Sequence, residues 1–463
     1  MIMKLFQKLC VGMMLLPAAF LWAQVDSTST QPVTTNSTDN SANSTDNNDS
    51  RMLTPPPVSG QSYPASPTFE ERSNYLRAGV VFSGAYTDNE LGSLTGSPVS
   101  DVSYSVFPTL ALDETTSRTH WIVKYAPGFT FYQRESSLNA ADQNASIDFH
   151  YRLSPHVTFS ARDSFQKTSN VFNQPDLGSA AVVSGGAQVP NVSVIAPVAD
   201  QLNNSGNADI TYQFAPNGMV GASGTFSNLH YPNQAQVPGL YDSSSQGGSA
   251  FYSLRVSKMH YIGATYQYQR LISYPTVGQN ETQTHALLFF YTLYVSSKLS
   301  LSFFGGPQHS DTVESPVGPL RLPAAQAWTP AAGGSLSWQG RLTNVALSYS
   351  HIISGGGGLI GAVKMDSANA SIRQQLTHRL SGSVSGMYAQ NDVLGSALAG
   401  ATNGHTVSGT PSLQQEFGQH VNVQLGYTRL HEDYSGVAVL AGRPNTNREF
   451  VSISYQFSRP LGR

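Results

Sequence analysis

Cysteine is all but missing from this 463-residue chain, and the single one, Cys10, lies at the start of an apolar stretch. Residues beyond it therefore form no disulfide and no thiolate metal site, and Cys10 itself is misplaced for a lipid anchor. Charge is scarce too. The 25 Lys and Arg and 28 Asp and Glu make up 11 % of the residues, less than half of the roughly 25 % usual in soluble domains. The formal charge of −3, more negative still once Lys4 and Lys8 are set aside, leaves no basic footprint and excludes a nucleic-acid partner. Past Trp22 there is no run of about 18 apolar residues, which excludes a spanning helix but not a spanning strand. Ready-made chemistry is absent as well. The 12 histidines show no His-x3-His spacing. Glycines 355–358 precede no GK[ST] helix start, so they make no phosphate loop and fit a flexible outer loop. Neither an enzyme nor a cofactor is expected.

What is present starts with a leader. Lys4 and Lys8, an apolar core from Leu9 to Trp22 and Ala23 before Gln24 read as a cleaved secretory signal peptide over 1–23. Residues 24–73 are dominated by Ser, Thr, Asn, Asp and then Pro. Such a segment buries too little apolar surface to offset its ordering entropy and reads as a disordered periplasmic tether.

From Asn74 to the C-terminus eighteen segments alternate apolar and polar residues, among them 118–133, 298–309, 328–339 and 404–417. The gaps between them alternate short and long. Turns such as Ser154-Pro155 and Gln339-Gly340-Arg341 take turns with long stretches such as 169–202 and 310–327. A soluble sandwich has no reason to gather its short turns at one end, whereas a membrane barrel does. The expectation is an all-β fold, a transmembrane antiparallel up-and-down β-barrel of about 18 strands, with 16 as the alternative, spanning 74–463. Pro108, Pro127 and Pro411 fall inside strands, each removes a ladder hydrogen bond, and each demands a break in pairing.

Strand parity points Arg77, Lys124, Arg134, His150, Arg152, Arg162, Arg255 and Arg373 to the inner face, with Asp101, Asp148, Glu416 and Glu432. Cationic side chains in a lumen favour anions; the alternative is that they pair with acids such as Asp148 and brace the wall. Trp121, Tyr125, Phe129, Tyr266, Tyr349 and Tyr455 are expected to face lipid, and Phe251, Phe290 and Tyr294 to face inward. The stretch 169–202 is long and rich in Val, and is expected to fold into the barrel mouth as a constriction; the alternative is a lid or an oligomer contact.

The last strand places Val451, Ile453, Tyr455 and Phe457 in alternation with Ser452, Ser454, Gln456 and Ser458. With this ending, the chain from residue 74 resembles the Gram-negative outer-membrane β-barrel proteins, the porins in particular. The resemblance implies that those four residues are the signal read by the barrel-assembly machinery. It also implies surroundings of outer-membrane lipid and lipopolysaccharide, and small polar solutes as cargo. One departure is that Ser458 to Arg463 follow the aromatic on which family members commonly end. The functional expectation is an outer-membrane channel for small polar solutes. The alternative is a non-transport envelope barrel, an adhesin or a component of an exopolysaccharide apparatus.

Overall fold

The computed structural model describes residues 74–90, 98–170, 172, 198–276, 278–296, 298–314, 325–355, 357–359, 361–394, 403–437 and 444–460. The segments read as leader (1–23) and tether (24–73) lie outside these residues. Strands follow one another through the described chain: β1 (Tyr75–Thr87), β2 (Asp101–Thr115), β3 (Thr119–Tyr125), β4 (Gly128–Tyr132), β5 (Ala140–Arg152), β6 (Val157–Asn170), β7 (Val198–Ala215), β8 (Gly218–His230), β9 (Asp242–Arg255) and β10 (His260–Tyr274). They continue as β11 (Asn280–Ser296), β12 (Leu299–Glu314), β13 (Ala325–Gln339), β14 (Thr343–Gly355), β15 (Ala362–Gln375), β16 (Leu380–Val393), β17 (Asn403–Phe417), β18 (Val421–Tyr434) and β19 (Asn445–Pro460). Chain neighbours pair antiparallel, and β1 closes on β19 from Tyr75 opposite Pro460 to Thr87 opposite Arg448. No edge strand is left to meet lipid with unpaired backbone. Since β3 and β4 share one position between β2 and β5, the barrel has eighteen strands and the smaller alternative falls away.

The interruption between β3 and β4 is where proline chemistry requires it. The ladder pairs Leu110 with Tyr125 and Val106 with Phe129, so the register sets Pro108 opposite Pro127 in the unpaired interval. Two missing N–H groups share one break. Asn144 repairs the other side, its backbone carbonyl accepting from Ala126 N at 2.8 Å and its side chain donating to Ala126 O at 3.3 Å. A second pair, Pro307 opposite Pro330, was not flagged by the sequence reading. Pro307 falls where the β11–β12 ladder skips, and Pro330 where β13 no longer pairs with β14. Pro411 likewise meets a gap between Gly409–Arg429 and Ser412–Gly426.

The two faces are inverted relative to a soluble protein. Phe82, Tyr104, Phe131, Phe289, Val384 and Ile453 are exposed, while alternating Ser83, Ser103, Thr282, Ser408 and Ser454 are buried. Phe303 is 53 % exposed and Thr282 is 0 %. Such a surface is stable only against hydrocarbon, where each large apolar side chain gains roughly 1.5–3 kcal/mol over its exposure to water. Toward the long-loop end the apolar band stops at a row of tyrosine hydroxyls that reach up to polar partners. Tyr266 Oη lies 2.8 Å from His285 Nδ1, Tyr349 Oη donates to Asp366 at 2.7 Å, and Tyr388 Oη donates to Gln390 at 3.0 Å. An aromatic with an apolar body and a polar tip fits a lipid–water boundary.

Candidate lumen site: an inturned hairpin tip and a charged wall

One hairpin departs from the wall. The β13–β14 ladder ends at Ala332 and His351, although β13 goes on pairing with β12 to Ala325 and β14 with β15 to Gly355. Beyond His351 the β14–β15 tip turns into the lumen. Ile353 N donates to Gln308 Oε1 at 3.2 Å, Ile353 and Ala362 pack on Leu271, and Gly361 N donates to Ser273 Oγ at 2.8 Å. Across the mouth the tip meets the β8–β9 connection, with Tyr241 N donating to Gly358 O at 2.7 Å and Tyr231 Oη to Gly357 O at 3.1 Å. Leu359 and Val363 bury themselves with Tyr231, Val237, Leu240, Tyr434 and Val437. Six strands, β9 to β14, separate Tyr231 from Leu359 along the chain, so this apolar cluster spans the lumen. Burial raises the Tyr231 phenol above its usual range, with a further push from the carboxylate of Asp242, so it stays a neutral donor.

Glycine makes this closure sterically open. Gly357, Gly358 and Gly361 have φ of 59°, 106° and 84°, and a Cβ on Gly358 would come within 2.6 Å of Tyr231 Oη. Within the run 355–358, expected as a flexible outer loop, Gly355 ends β14 and Gly357 and Gly358 supply positive-φ turns beneath a tyrosine. The glycine run was the visible signal, and its partner, 126 residues distant, was not.

The long loop is anchored nearby. Asn170 Nδ2 donates to Glu90 Oε1 at 2.8 Å and to Tyr132 Oη at 3.0 Å, while Phe172 N donates to Asn170 Oδ1 at 2.9 Å. Phe172, 2 % exposed, lies against Leu430, and the Arg448 guanidinium sits 5.3 Å over its ring. A buried cation over an aromatic face is held by the ring quadrupole. Sequence reading passed over Glu90, Arg448 and Asn170, because their meeting depends on closure of the barrel. Strands take up more of 169–202 than expected, since β6 runs to Asn170 and β7 starts at Val198; 173–197 lie outside the described residues.

Toward the short-turn end one sector of inner wall is charged. Arg77 on β1 approaches Asp113 on β2 at 4.0 Å, and His120 on β3 reaches the same carboxylate at 3.2 Å. His120 stacks on His150 of β5 with ring centroids 6.1 Å apart, and Asp148 pairs with Arg162 of β6. Lys124, buried, lies on this inner face opposite Ser146, and Arg152 opposite Thr158 near the turn. Arg373 and Glu416 face inward on β15 and β17, well around the wall, with Arg373 donating to Ser381 Oγ at 3.2 Å. Two expected wall residues have other duties. Arg134 follows β4 at the long-loop rim, two residues past the strand's end at Tyr132, where it donates to Ser100 O and where the Asp101 carboxylate binds its backbone N–H. Arg255 ends β9 and clamps a turn, donating to Asn217 Oδ1 at 3.1 Å and Pro216 O at 2.9 Å. Asp113 was the missed member of the set. Phe251 and Phe290 lie flat over Gly221 and Gly263 of the adjacent strands, and Tyr294 stands edge-on to Tyr261, so these inner aromatics belong to the wall.

Because Asp148 neutralises Arg162, Asp148→Asn should move the reversal potential of the reconstituted barrel under a salt gradient toward anions. A potential equal to that of the parent chain would show that this pair does not face the ion path.

In the terminal strand Ile453, Tyr455 and Phe457 are each 48 % exposed on the outer face, with Val451 half-buried among them. Ser458, Arg459 and Pro460 continue the ladder against Arg77, Leu76 and Tyr75, which gives the first three residues past Phe457 a place in the wall.

A closed barrel with an apolar exterior and a hydroxyl-lined interior defines a membrane-spanning β-barrel of the outer-membrane type. No family model matches the sequence, and no curated protein sequence matches it. Among solved structures, OccAB4 of Acinetobacter baumannii is similar at 8 % identity and a TM-score of 0.40, over 84 % of this chain and 100 % of that one. The outer membrane protein OpdK of Pseudomonas aeruginosa is similar at 10 % identity and a TM-score of 0.39, over 83 % and 99 %. The ferric citrate transporter FecA in its unliganded form is similar at 9 % identity and a TM-score of 0.39, over 81 % of this chain and only 63 % of that one.

Proposed function

We propose that the chain is a channel of the Gram-negative outer membrane that passes small polar solutes by diffusion and is narrowed at its long-loop mouth. The observation that carries this reading is the continuous Ser, Thr, Asn and Gln inner face of a closed eighteen-stranded barrel, too wide for side chains alone to fill. The β14–β15 tip is one constriction, and loop 169–202, rooted at Asn170 and Phe172, is a second. On this reading Val451, Ile453, Tyr455 and Phe457 guide assembly, and the leader is removed during export. Arg77, Lys124, Asp148 and Arg162 give the short-turn half of the path a charged bank, with a weak preference for anions.

A second reading, a non-transport envelope barrel such as an adhesin or an exopolysaccharide-apparatus component, draws support from the apolar contact that crosses the mouth. Swelling of liposomes carrying the purified chain separates the two. A channel admits monosaccharides and then excludes progressively larger sugars, whereas liposomes that do not swell with any of them would favour the second reading.

A further inference from the structure

Six of the 12 histidines, His230, His285, His309, His351, His405 and His431, stand on the outer face of long-loop strand ends, at or just above the tyrosine row. Their parity is that of the exposed Phe226, Leu287, Phe303, Tyr349, Val407 and Tyr427 on the same strands. Carboxylates accompany most of them. His230 Nδ1 lies 2.7 Å from Asp242, His309 Nδ1 3.8 Å from Asp311 and His351 Nδ1 2.7 Å from Asp366. His405 is registered opposite Asp433 and its ring lies 5.8 Å from that of His431. His285 is flanked by Tyr266 and Tyr268 on β10 and registered opposite His309 on β12.

Other groups share this level. Trp328 of β13 stands beside His309, Tyr388 and Gln390 of β16 beside His405, and Arg429 and Asn445 beside His431. Arg270 on the same tier is already bound by both oxygens of Glu281 at 2.7 Å. Lys364 and Asp392, registered opposite each other on β15 and β16, Lys167 and Asp200 on β6 and β7, and Asp88 and Glu449 on β1 and β19 complete the ring. With imidazoles neutral, carboxylates outnumber the cations on this belt. Just above an apolar band, the layer that must touch it is lipid headgroup.

We propose that this outward belt is a binding surface for phosphorylated lipid headgroups in which protons and divalent cations are interchangeable. At neutral pH the acids of the belt meet phosphate only through a bridging divalent cation. When the imidazoles protonate, each His–Asp pair loses its net negative charge. His285, hydrogen-bonded to Tyr266 rather than to a carboxylate, becomes a cation, and phosphate then binds without metal.

The test is titration of the detergent-purified full chain with short-chain phosphatidic acid in neutral micelles, near pH 7.5 and near pH 5.5, with EDTA or with magnesium. In EDTA the affinity should rise about tenfold at the lower pH, and magnesium should raise it near pH 7.5. A chain with all six histidines changed to glutamine should keep the magnesium response and lose the rise in EDTA. Equal affinities at the two pH values in EDTA, for the unaltered chain alone, would overturn the proposal whether or not the variant folds. So would a variant that keeps the rise, or inorganic phosphate competing at concentrations equal to the lipid's, which would mark a free-phosphate site instead.

Discussion

Changing Tyr231, Leu359 and Val437 together to serine should raise single-channel conductance severalfold. These side chains are 1 %, 2 % and 2 % exposed and come from three different connections, after β8, between β14 and β15, and after β18. Nothing covalent ties those connections across the lumen. They meet through apolar burial, the Tyr231 bond to Gly357 O and one backbone bond at Gly358, while the tip is also tied to the wall at Gln308 and Ser273. Truncating a buried large apolar side chain costs roughly 2–5 kcal/mol, and such losses, with the Tyr231 bond gone as well, exceed what the remaining bonds at Gly358, Ser273 and Gln308, of about 1 kcal/mol each, retain. The wall below is laddered independently, so heat-modifiable migration of the folded barrel in gels should not change. Planar-bilayer recording gives the answer directly, and an unaltered conductance would mean that the tip does not limit flow. The same recording on a chain lacking 173–197 measures the share of the long loop.

Ile453→Arg should be close to lethal for assembly. Ile453 points to lipid midway along β19 and is registered against Phe82 on one side and Val423 on the other, so the charge would enter the hydrocarbon at the seam where the barrel closes. An arginine at mid-depth on this face costs about 2–4 kcal/mol, and it interrupts the alternation read as the assembly signal. Gln456→Glu, three residues on and facing the lumen, serves as the matched control. The outer-membrane fraction of the first should fall to a small part of that of the second. Equal yields would mean that the outer face of β19 does not meet acyl chains.

The difference between those two positions was legible from sequence. Period-two alternation tells which side chain meets which solvent, and the tight turns at Ser154-Pro155 and Gly340 told which end was which. Even the interruption at Pro127 was foreseeable, because a missing N–H has only local consequences. What escaped depends on chain segments that are remote in sequence. Pro330 is accommodated by remote features, since its ladder partner is Pro307 and its other neighbour has left the wall. The inward turn of the β14–β15 tip is selected by Tyr231 and Ser273, contacts that no window of local pattern contains. In the same way Arg134 is drawn to the rim by the Asp101 carboxylate, 33 residues away, and Asp113 gains its place because β1 and β3 flank it.

The pairing of Tyr75 with Pro460 brings the first and last strands side by side at the short-turn rim. The ring of strands consequently has no privileged starting point, and a short peptide bridge between those two residues would make it covalently continuous. A circularly permuted gene opened at 315–324 should then build the same cylinder from a different first strand, separating the geometry of the finished barrel from the order in which its staves are delivered.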